Sequence, residues 1–428
     1  MTFKENLLEF LTLEDADKLL DSLKLEDYHA VLLNPKKINK EYFISLFPHV
    51  TSHPYVENAF IYDKNEYPLG KSIYHELGYF YLQEPSAMMV SSLLNISKDD
   101  LVLDLCAAPG GKSIGASFKL DGTGLIISND LSRPRCSLIV ENAERLGLEN
   151  LLIVNNDFEK IYQDYLEKFD VIILDAPCSG SGMFRKDDKM IADWSINKVY
   201  KFAEIQKSLI NIAYQMLKPG GTLSYSTCSY SIEEDEEVIE YLLSNTDAEI
   251  LPLPYIKKAY INKNKPIGIR MMPSNFSGEG QYICQIKKPG NKKPTAYENS
   301  NKYKKELPSS LEDKDVQKYG NTYFYLNNAI KVKGLNIVRY GVKIGEDNKN
   351  IFRFDLHYAR VGNRKDLPSI ELNLDEVKEY LYGNVIRKSN PYKGYIYLIY
   401  QNNPIDIAKT DGEQIKNYYP KGLRKRFN

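Results

Sequence analysis

The chain has 428 residues, of which 43% are hydrophobic and 26% charged, and its 56 Lys and Arg residues nearly balance 57 Asp and Glu residues. This composition is typical of a globular chain with two or three domains, and it excludes a strongly basic protein that binds nucleic acid through bulk charge. A surface for nucleic acid would have to come from local clusters of basic residues.

Five cysteines occur at irregular spacing, and no Cys-x-x-Cys pair is present. This pattern matches neither a disulfide framework nor a zinc site, so we expect a reduced, cytoplasmic protein without a bound metal. The first residues, Met1–Asn6, are too polar for a signal peptide, and no run of about 18 apolar residues exists. We therefore expect no membrane segment, and a monomer is the default expectation.

The first 25 residues carry apolar side chains at helical spacing, among them Leu7, Leu11 and Leu20. This spacing predicts one or two amphipathic helices. A mixed segment follows to about residue 90, and Ser86 is a candidate cap for a helix that begins there. We interpret residues 1–90 as a small α+β lead-in.

Strands and helices alternate over residues 91–290 with the spacing of a doubly wound α/β sheet. The predicted strands are Leu101–Leu105, Gly124–Ser128, Leu151–Val154, Val171–Leu174, Thr222–Ser226 and Tyr282–Ile286. The predicted helices are Arg133–Leu146, Lys198–Leu217 and Glu233–Leu243. This pattern predicts a nucleotide-binding type of core.

Residues 287–294 are polar, basic and interrupted by Pro and Gly, which is typical of a linker. Short tyrosine-rich and β-branched runs follow at Thr322–Leu326, Asn336–Tyr340 and Tyr395–Tyr400. They predict a separate β-rich domain within residues 291–428, which ends in a basic and aromatic stretch, Lys416–Arg426.

A sharp corner follows the first predicted strand, at Pro109, Gly110 and Gly111. Glycines let a backbone approach a ligand, and the amides of the next helical turn favour an anionic or electron-rich group. The spacing matches neither a Gly-x-Gly-x-x-Gly loop nor a Walker A loop. Taken alone, the corner is equally well explained as a ligand loop or as a structural turn.

Acidic residues at the ends of successive predicted strands favour the ligand loop. Asp130 could accept hydrogen bonds from both ribose hydroxyls of a nucleoside, and Asp157 lies one strand further, within reach of an adenine edge. A single Asp at a strand end is often only a helix cap. Together with Asp104, however, they favour an adenosine-containing ligand.

Two of the five cysteines differ from the rest. Cys106, Cys136 and Cys284 lie beside apolar strands and fit inert buried thiols. Cys178 and Cys228 each lie in a polar turn of small residues after a strand, where amides can stabilise a thiolate. Because the fourth and fifth strands adjoin in such a sheet, these two thiols could lie close together.

An exposed thiol beside a nucleoside ligand suggests one reaction. Cytosine C5 becomes nucleophilic once a thiolate adds to C6, and it can then take a methyl group from S-adenosylmethionine. A base removes the C5 proton, and the thiol is expelled. Asp175 could hydrogen-bond to cytosine N3 and N4 and stabilise the adduct.

The sequence resembles the Sun/nucleolar-protein family of RNA (cytosine-5) methyltransferases. The residues that carry the resemblance are Asp104–Lys112, Asp175–Gly182, Leu217–Gly221 and Tyr225–Ser229, with further matches at Gln83–Met88 and Arg185–Asp187. The ordered motifs are highly specific and cover about residues 75–290.

The resemblance implies a Rossmann-like methyltransferase domain that uses S-adenosylmethionine. It implies Cys228 as the nucleophile and Cys178 as the thiol that assists product release, with Asp175 also catalytic. DNA (cytosine-5) methyltransferases use the Pro-Cys cysteine as the nucleophile instead, so these roles rest on the resemblance. The residues implied at the cofactor are Cys106, Ala107, Ala108, Pro109, Gly110, Gly111, Lys112, Asp130, Arg135, Asp157 and Asp175.

The C-terminal region is similar to the PUA-like extension of bacterial members that modify 16S ribosomal RNA, although Leu32 replaces an arginine that is usual in the lead-in. We therefore expect 16S ribosomal RNA or the small ribosomal subunit as partner, with the target base single-stranded or flipped out. Basic clusters at Lys287–Lys293, Lys302–Lys305 and Arg424–Arg426 would meet its phosphates, or form only a solvated linker and tail. The alternatives are a transfer RNA methyltransferase and a non-catalytic RNA-binding assembly factor.

Overall fold

The computed structural model describes residues 1–121, 123–185, 189–303, 307–331, 333–348, 351–362 and 366–427. Three parts of the chain build four sheets around a central α/β layer. The first part has four helices and four strands: α1 (Phe3–Leu7), α2 (Leu13–Ser22), β1 (His29–Leu33), α3 (Lys40–Leu46), β2 (Thr51–Ser52), β3 (Ala59–Tyr62), α4 (Ile73–Glu76) and β4 (Phe80–Gln83). Its sheet has the order β2-β3-β1-β4.

The central part alternates helices and strands, which confirms the predicted α/β class. Its elements are α5 (Pro85–Ser92), β5 (Leu101–Asp104), α6 (Gly111–Leu120), β6 (Leu125–Asn129), α7 (Arg133–Leu146), β7 (Leu151–Val154), α8 (Phe158–Ile161), β8 (Phe169–Asp175), α9 (Lys189–Ala192), α10 (Ile196–Met216), β9 (Leu217–Thr227), α11 (Glu236–Asn245), β10 (Glu249–Leu251), β11 (Ile269–Met271) and β12 (Gln281–Lys287).

The C-terminal part is rich in β-structure, as predicted. Its elements are β13 (Asp315–Tyr319), β14 (Thr322–Leu326), β15 (Ile337–Tyr340), β16 (Val342–Asn348), β17 (Ile351–Phe354), α12 (Leu356–Arg360), β18 (Ser369–Glu371), α13 (Leu374–Tyr382), β19 (Ile386–Arg387), β20 (Gly394–Tyr400), β21 (Asn403–Thr410) and β22 (Gln414–Lys416). Apart from β15, its strands form two sheets, β13-β14-β16-β17 and β18-β20-β21-β22-β19.

The central sheet has the order β10-β12-β9-β8-β5-β6-β7-β15, and β11 pairs with β12. Strands β5 to β9 pair in parallel, so their carboxyl ends meet at one edge. Their near-continuous apolar sequences follow from burial on both faces. In β5, for example, Leu101 and Leu103 pack into one core cluster and Val102 into the other.

Three local predictions were wrong. The cap of α5 is Glu84, with Pro85 in the first helical turn, and Ser86 donates its hydroxyl to that carboxylate. Strand β9 begins at Leu217 and not at Thr222, because Leu217 pairs with Phe169 and the glycine corner is absorbed as an irregularity within the strand.

The third wrong prediction concerns the run at Asn336–Tyr340, which was assigned to a separate C-terminal domain. Its strand, β15, instead pairs antiparallel with β7 and forms an edge of the central sheet. A further shared core joins the first part to the last, where Phe80 of β4 and Leu398 of β20 belong to one buried cluster. The domain boundaries near residues 90 and 290 stay predictions.

Candidate active site

The predicted corner lies at the carboxyl edge of the central sheet. Strand β5 ends at Asp104, and α6 begins at Gly111 after Gly110, whose φ of 109° lies in the left-handed region that favours glycine. The Ala107 N–H donates to the Asn129 carbonyl over 2.7 Å, which anchors the corner on the end of β6. The corner therefore faces the same edge as the ends of the neighbouring parallel strands.

Two buried acceptors beside this corner lack a donor among the described residues. Ser113 donates its hydroxyl to Asp104 Oδ2 over 2.7 Å, but Asp104 Oδ1 and Gln83 Oε1 have no hydrogen-bond partner there. A side chain at Gly111 would come within 2.7 Å of Gln83 Nε2, so Gln83 lies directly against the corner. Burial raises the pKa of Asp104 to about 7.

This donor deficit fits S-adenosylmethionine, whose amino group could fill the unpaired acceptors. The cofactor would supply an electrophilic methyl group at the corner. The second implied element, Asp130, accepts an N–H from Ala108 over 3.3 Å and one from Ser132 over 2.9 Å. Arg135 ties the same loop down by donating to the Ala108 carbonyl over 2.7 Å and approaching Asp130 Oδ2 at 3.5 Å.

Asp157 lies one strand further along the edge, after β7. Its carboxylate accepts the Glu159 N–H over 3.2 Å as the cap of α8, and Lys160 Nζ lies 2.9 Å from its other oxygen. The structure thus gives Asp157 the capping role that a strand-end Asp often has, at the carboxyl edge of the central sheet.

Asp175 ends β8 and organises the centre of the site. Its Oδ2 lies 2.7 Å from Lys112 Nζ, and its Oδ1 accepts the Ser226 hydroxyl over 2.7 Å and the Gln281 amide over 2.8 Å. Burial alone would lower the pKa of Lys112, but the carboxylates of Asp175, Glu84 and Asp104 together raise it. Lys112 therefore carries a full positive charge at the corner, and Gln281 is a site residue that the sequence did not identify.

The two cysteines lie at the ends of neighbouring strands. Parallel pairing of Asp175 with Ser226 brings the turns after β8 and β9 together, and the Sγ atoms of Cys178 and Cys228 are 3.0 Å apart. This confirms that the thiols lie close together. The hydrogen bond with Cys228, together with burial, raises the pKa of Cys178 well above its ordinary value.

The remaining three cysteines do not form such a pair, and Cys106 is half-buried where the sequence suggested a buried thiol. Cys136 and Cys284 are buried. Burial raises the pKa of all three thiols, so they remain protonated near neutral pH.

Glu234 joins the two cysteine turns, and the sequence did not identify it. Its Oε2 accepts the Ser179 N–H over 2.8 Å and the Gln206 amide over 2.9 Å, and its Oε1 accepts the Ser229 hydroxyl over 2.8 Å. Ser179 and Ser229 each directly follow one of the cysteines. Burial raises the pKa of Glu234.

Gly182 also supports the turn that carries Cys228. Its N–H donates to the Cys228 carbonyl over 2.6 Å, and a Cβ at this position would lie 2.6 Å from the same oxygen. Thr227, one residue earlier, donates its hydroxyl to Asp235 over 2.6 Å. The acidic run Glu233–Glu236 was a sequence signal for these contacts, but it is also typical of the first turn of an exposed helix.

The matched motifs at Glu84 and Arg185 lie behind the cysteine turns. Glu84 accepts the Glu279 N–H over 3.0 Å, and Ser86 accepts the Gly280 N–H over 3.0 Å. Arg185, whose side chain is 2% exposed, lies 3.5 Å from Glu279 and donates to a carbonyl at the end of α2 over 2.7 Å. Lys186 and Asp187 of this motif fall outside the described residues.

The predicted basic linker lies at the opposite edge of the sheet. Lys292 Nζ is 2.5 Å from Asp100, which precedes β5, whereas the cysteines follow the other ends of the parallel strands. Lys292 is therefore bound to an internal carboxylate away from the cysteine turns, and contact of this cluster with phosphates stays a prediction. In the cluster Lys302–Lys305, Lys304 and Lys305 fall outside the described residues.

The basic tail packs largely on the protein itself. Lys425 Nζ lies 2.8 Å from Glu76, Arg424 donates to the Tyr419 carbonyl, and Arg426 donates to the Tyr382 hydroxyl. Within the described ranges, no helix is long and apolar enough to cross a membrane, and no group of three His, Cys, Asp or Glu side chains could hold a metal ion.

Three family models match the chain. They are the 16S rRNA methyltransferase RsmB/F over residues 91–287, the methyltransferase RsmF PUA domain over residues 367–425, and the N-terminal domain of 16S rRNA methyltransferase RsmF over residues 1–85. Strand β15 lies between the matches at residues 91–287 and 367–425, outside all three.

Similar proteins include ribosomal RNA small subunit methyltransferase F from Vibrio vulnificus, which is 30% identical over 92% of this chain and 90% of its own length. The enzyme of that name from Vibrio campbellii is 31% identical over 84% of this chain and 82% of its own length.

Two solved structures have the same fold. The methyltransferase homolog protein from Pyrococcus horikoshii has a TM-score of 0.59 and 27% identity, and the match covers 66% of this chain and 93% of that chain. NSun6 from the same organism, solved with the S-adenosylmethionine analogue SFG, has a TM-score of 0.61 and 22% identity, covering 67% of this chain and 98% of that chain.

Proposed function

The chain belongs to the family of RsmB/F 16S rRNA methyltransferases, and on that basis we propose that it methylates cytosine C5 in 16S ribosomal RNA of the small subunit, through a covalent adduct with Cys228. The observation that carries the covalent step is the pair of thiols 3.0 Å apart beside the Asp175–Lys112 ion pair. S-adenosylmethionine supplies the methyl group.

Cys228 begins the reaction as a thiolate that forms a bond to cytosine C6, which moves electron density onto C5. Asp175 would hold the base. A carboxylate offers about four acceptor positions, and Lys112, Ser226 and Gln281 use three, so one remains for the cytosine N4 amino group. The 2.7 Å ion pair with Lys112 fixes the orientation of the Asp175 carboxylate for this contact.

Cys178 would then release the product. Its raised pKa keeps it a thiol, which suits a proton carrier more than an attacking thiolate. It would donate its proton to the Cys228 sulfur as the C6–S bond breaks, and the resulting thiolate would take the proton from C5. Both cysteines are then thiols, and 5-methylcytosine leaves. Cys228 becomes a thiolate again by losing one proton to solvent, which accounts for the C5 hydrogen that the methyl group replaced.

Two variants test these roles on the same 16S RNA with labelled S-adenosylmethionine. We expect Cys228→Ala to give neither methylated product nor adduct, and Cys178→Ala to accumulate a protein–RNA adduct that survives denaturation. Cys284→Ala removes a buried thiol remote from the turns and should retain activity. If the Cys228 variant traps RNA and the Cys178 variant does not, the two roles are reversed.

The substrate is tested separately with purified RNA pools. We expect label in 16S ribosomal RNA or in the small subunit. Label that appears exclusively in transfer RNA would contradict the ribosomal proposal and leave the chemistry intact. RNA binding without any label in either pool would favour the non-catalytic assembly factor.

A further inference from the structure

Strand β15 comes from the segment beyond the basic linker, yet it forms an edge of the cofactor-domain sheet. Ile337 pairs with Val154 and Tyr340 with Leu152 of β7, and the Gly341 N–H donates to the Leu151 carbonyl over 3.1 Å. The segment therefore runs alongside the strand that leads into Asp157.

Just before β15, the chain contacts the loop that follows β7. Asn156 Oδ1 accepts the Asn336 N–H over 2.9 Å, and Asn156 Nδ2 donates to the Gly334 carbonyl over 3.0 Å. The Asn155 N–H donates to the Asn336 carbonyl over 3.0 Å. The Asn156 side chain and the Asn155 N–H thus bind three backbone groups of the C-terminal segment.

The same loop is joined to the strand end that carries Asp130. The Asn156 N–H donates to Asn129 Oδ1 over 2.8 Å, and Asn155 Nδ2 donates to the carbonyls of Asp130 over 2.8 Å and Leu131 over 2.9 Å. Asn129 Nδ2 in turn donates to the Leu105 carbonyl over 2.9 Å. A continuous series of amide contacts therefore runs from the first corner to the C-terminal segment.

We propose that Asn156 is a positioning residue for the cofactor, and that the segment at residues 334–340 is a structural part of the S-adenosylmethionine site. The backbone N–H of Asn156 contacts the strand end that carries Asp130, and its side chain contacts the C-terminal segment. Asn156 therefore holds the Asp130 and Asp157 loops at a set spacing. This inference rests on the proposed function, since it needs S-adenosylmethionine as the ligand of this edge.

The full-length variant Asn156→Ala tests it against the control Asn328→Ala. Asn328 Nδ2 donates to the Thr123 carbonyl, so it also joins the C-terminal part to the central domain, but it does so before β6, at the edge away from the cofactor. Calorimetry measures the Kd for S-adenosylmethionine, and initial rates give kcat and the KM for the cofactor.

We expect Asn156→Ala to raise the Kd and KM for S-adenosylmethionine about tenfold, the effect of one to two lost hydrogen bonds. The kcat at saturating cofactor should change little, because the cysteines lie in the turns after β8 and β9. Asn156→Asp keeps the acceptor for the Asn336 N–H and should recover part of the affinity. Asn328→Ala should leave the KM unchanged.

An unchanged Kd for S-adenosylmethionine in Asn156→Ala would overturn the inference, and so would an equal rise of this Kd in Asn156→Ala and Asn328→Ala. In either case, binding of S-adenosylmethionine by the wild-type protein would still uphold the proposed function. Loss of kcat without a change in KM would also overturn it. If Asn156→Ala does not fold, Asn156→Asp provides the test, because it lacks the amide that donates to the Gly334 carbonyl. A folded Asn156→Asp variant with wild-type KM and wild-type kcat would contradict a role for that contact. A wild-type protein that does not bind S-adenosylmethionine would overturn both proposals.

Discussion

Replacement of Glu234 by Ala should uncouple the two cysteine turns. The variant leaves the Ser179 N–H, the Gln206 amide and the Ser229 hydroxyl without their buried acceptor. Each unpaired buried donor costs about 1–3 kcal/mol, so we expect a loss of about 4 kcal/mol in the free energy of unfolding. A shift of about 1 Å in either thiol costs about a hundredfold in rate, and we expect kcat to fall by at least that factor.

Glu234→Gln separates hydrogen bonding from charge. The amide oxygen can accept from Ser179 and Gln206, and the amide N–H₂ can donate to the Ser229 hydroxyl, so all three contacts have a partner. Burial raises the pKa of Glu234 above its ordinary value. The folded wild type therefore loses stability as pH rises through the raised pKa, whereas the amide of Glu234→Gln does not titrate. We therefore expect Glu234→Gln to retain most of the activity and to be relatively more stable at high pH.

The assay is methyl transfer from labelled S-adenosylmethionine, with adduct formation followed in a Cys178→Ala background and unfolding followed in urea. Glu233→Ala is the matched control. It leaves the buried Asn6 amide, 3.2 Å from both Glu233 oxygens, without its acceptor, but touches neither cysteine turn. It should lose stability and keep kcat per folded molecule. Wild-type kcat in Glu234→Ala, or a Glu234→Gln variant as slow as Glu234→Ala, would refute the reasoning.

Two further variants test the glycine corner and the turn that carries Cys228. Burial raises the pKa of Asp104 from 3.8 to about 7, so protonated Asp104 stabilises the fold fully below pH about 4, and this contribution is lost as pH rises to about 7. The urea midpoint of the wild type should therefore fall more between pH 5 and pH 8 than the urea midpoint of Asp104→Asn. Equal falls in the two proteins would contradict this. Gly182→Ala should lower kcat, because its Cβ would displace the Cys228 carbonyl, while Gly422→Ala, where a Cβ meets nothing within 4 Å, should be silent in the same rate assay. Equal rates for both glycine variants would contradict the steric argument.

The strands and the cysteine turns were predictable because their signals are local. Apolar runs predicted β5 to β8 within a residue or two at most ends, and the small polar residues around Cys178 and Cys228 marked their turns. Adjacent parallel strands must end at one edge, so the proximity of the two thiols followed from the strand order. The roles of these residues in chemistry stay predictions.

The supporting contacts were not predictable because they join residues distant in sequence. Glu234 lies in an acidic run that is equally typical of an exposed helix start, and its burial depends on how α10 and α11 pack. Likewise, the basic run around Lys292 suggested a phosphate contact, but the fold places Lys292 beside Asp100, at the edge of the sheet opposite the cysteine turns. A charged side chain does not specify its partner until the backbone has placed one nearby.

The sequence by itself determined which groups the candidate site contains: a glycine corner, acids at strand ends, and two thiols in turns of small residues. Those features depend on residue type and on spacing of a few positions. Only the tertiary structure decided that the run at Asn336–Tyr340 completes the cofactor sheet, because an edge strand pairs through backbone groups that every residue carries. Asn156 likewise acquires its contacts only in the fold, because its side chain binds backbone groups of Gly334 and Asn336, which are distant from it in sequence.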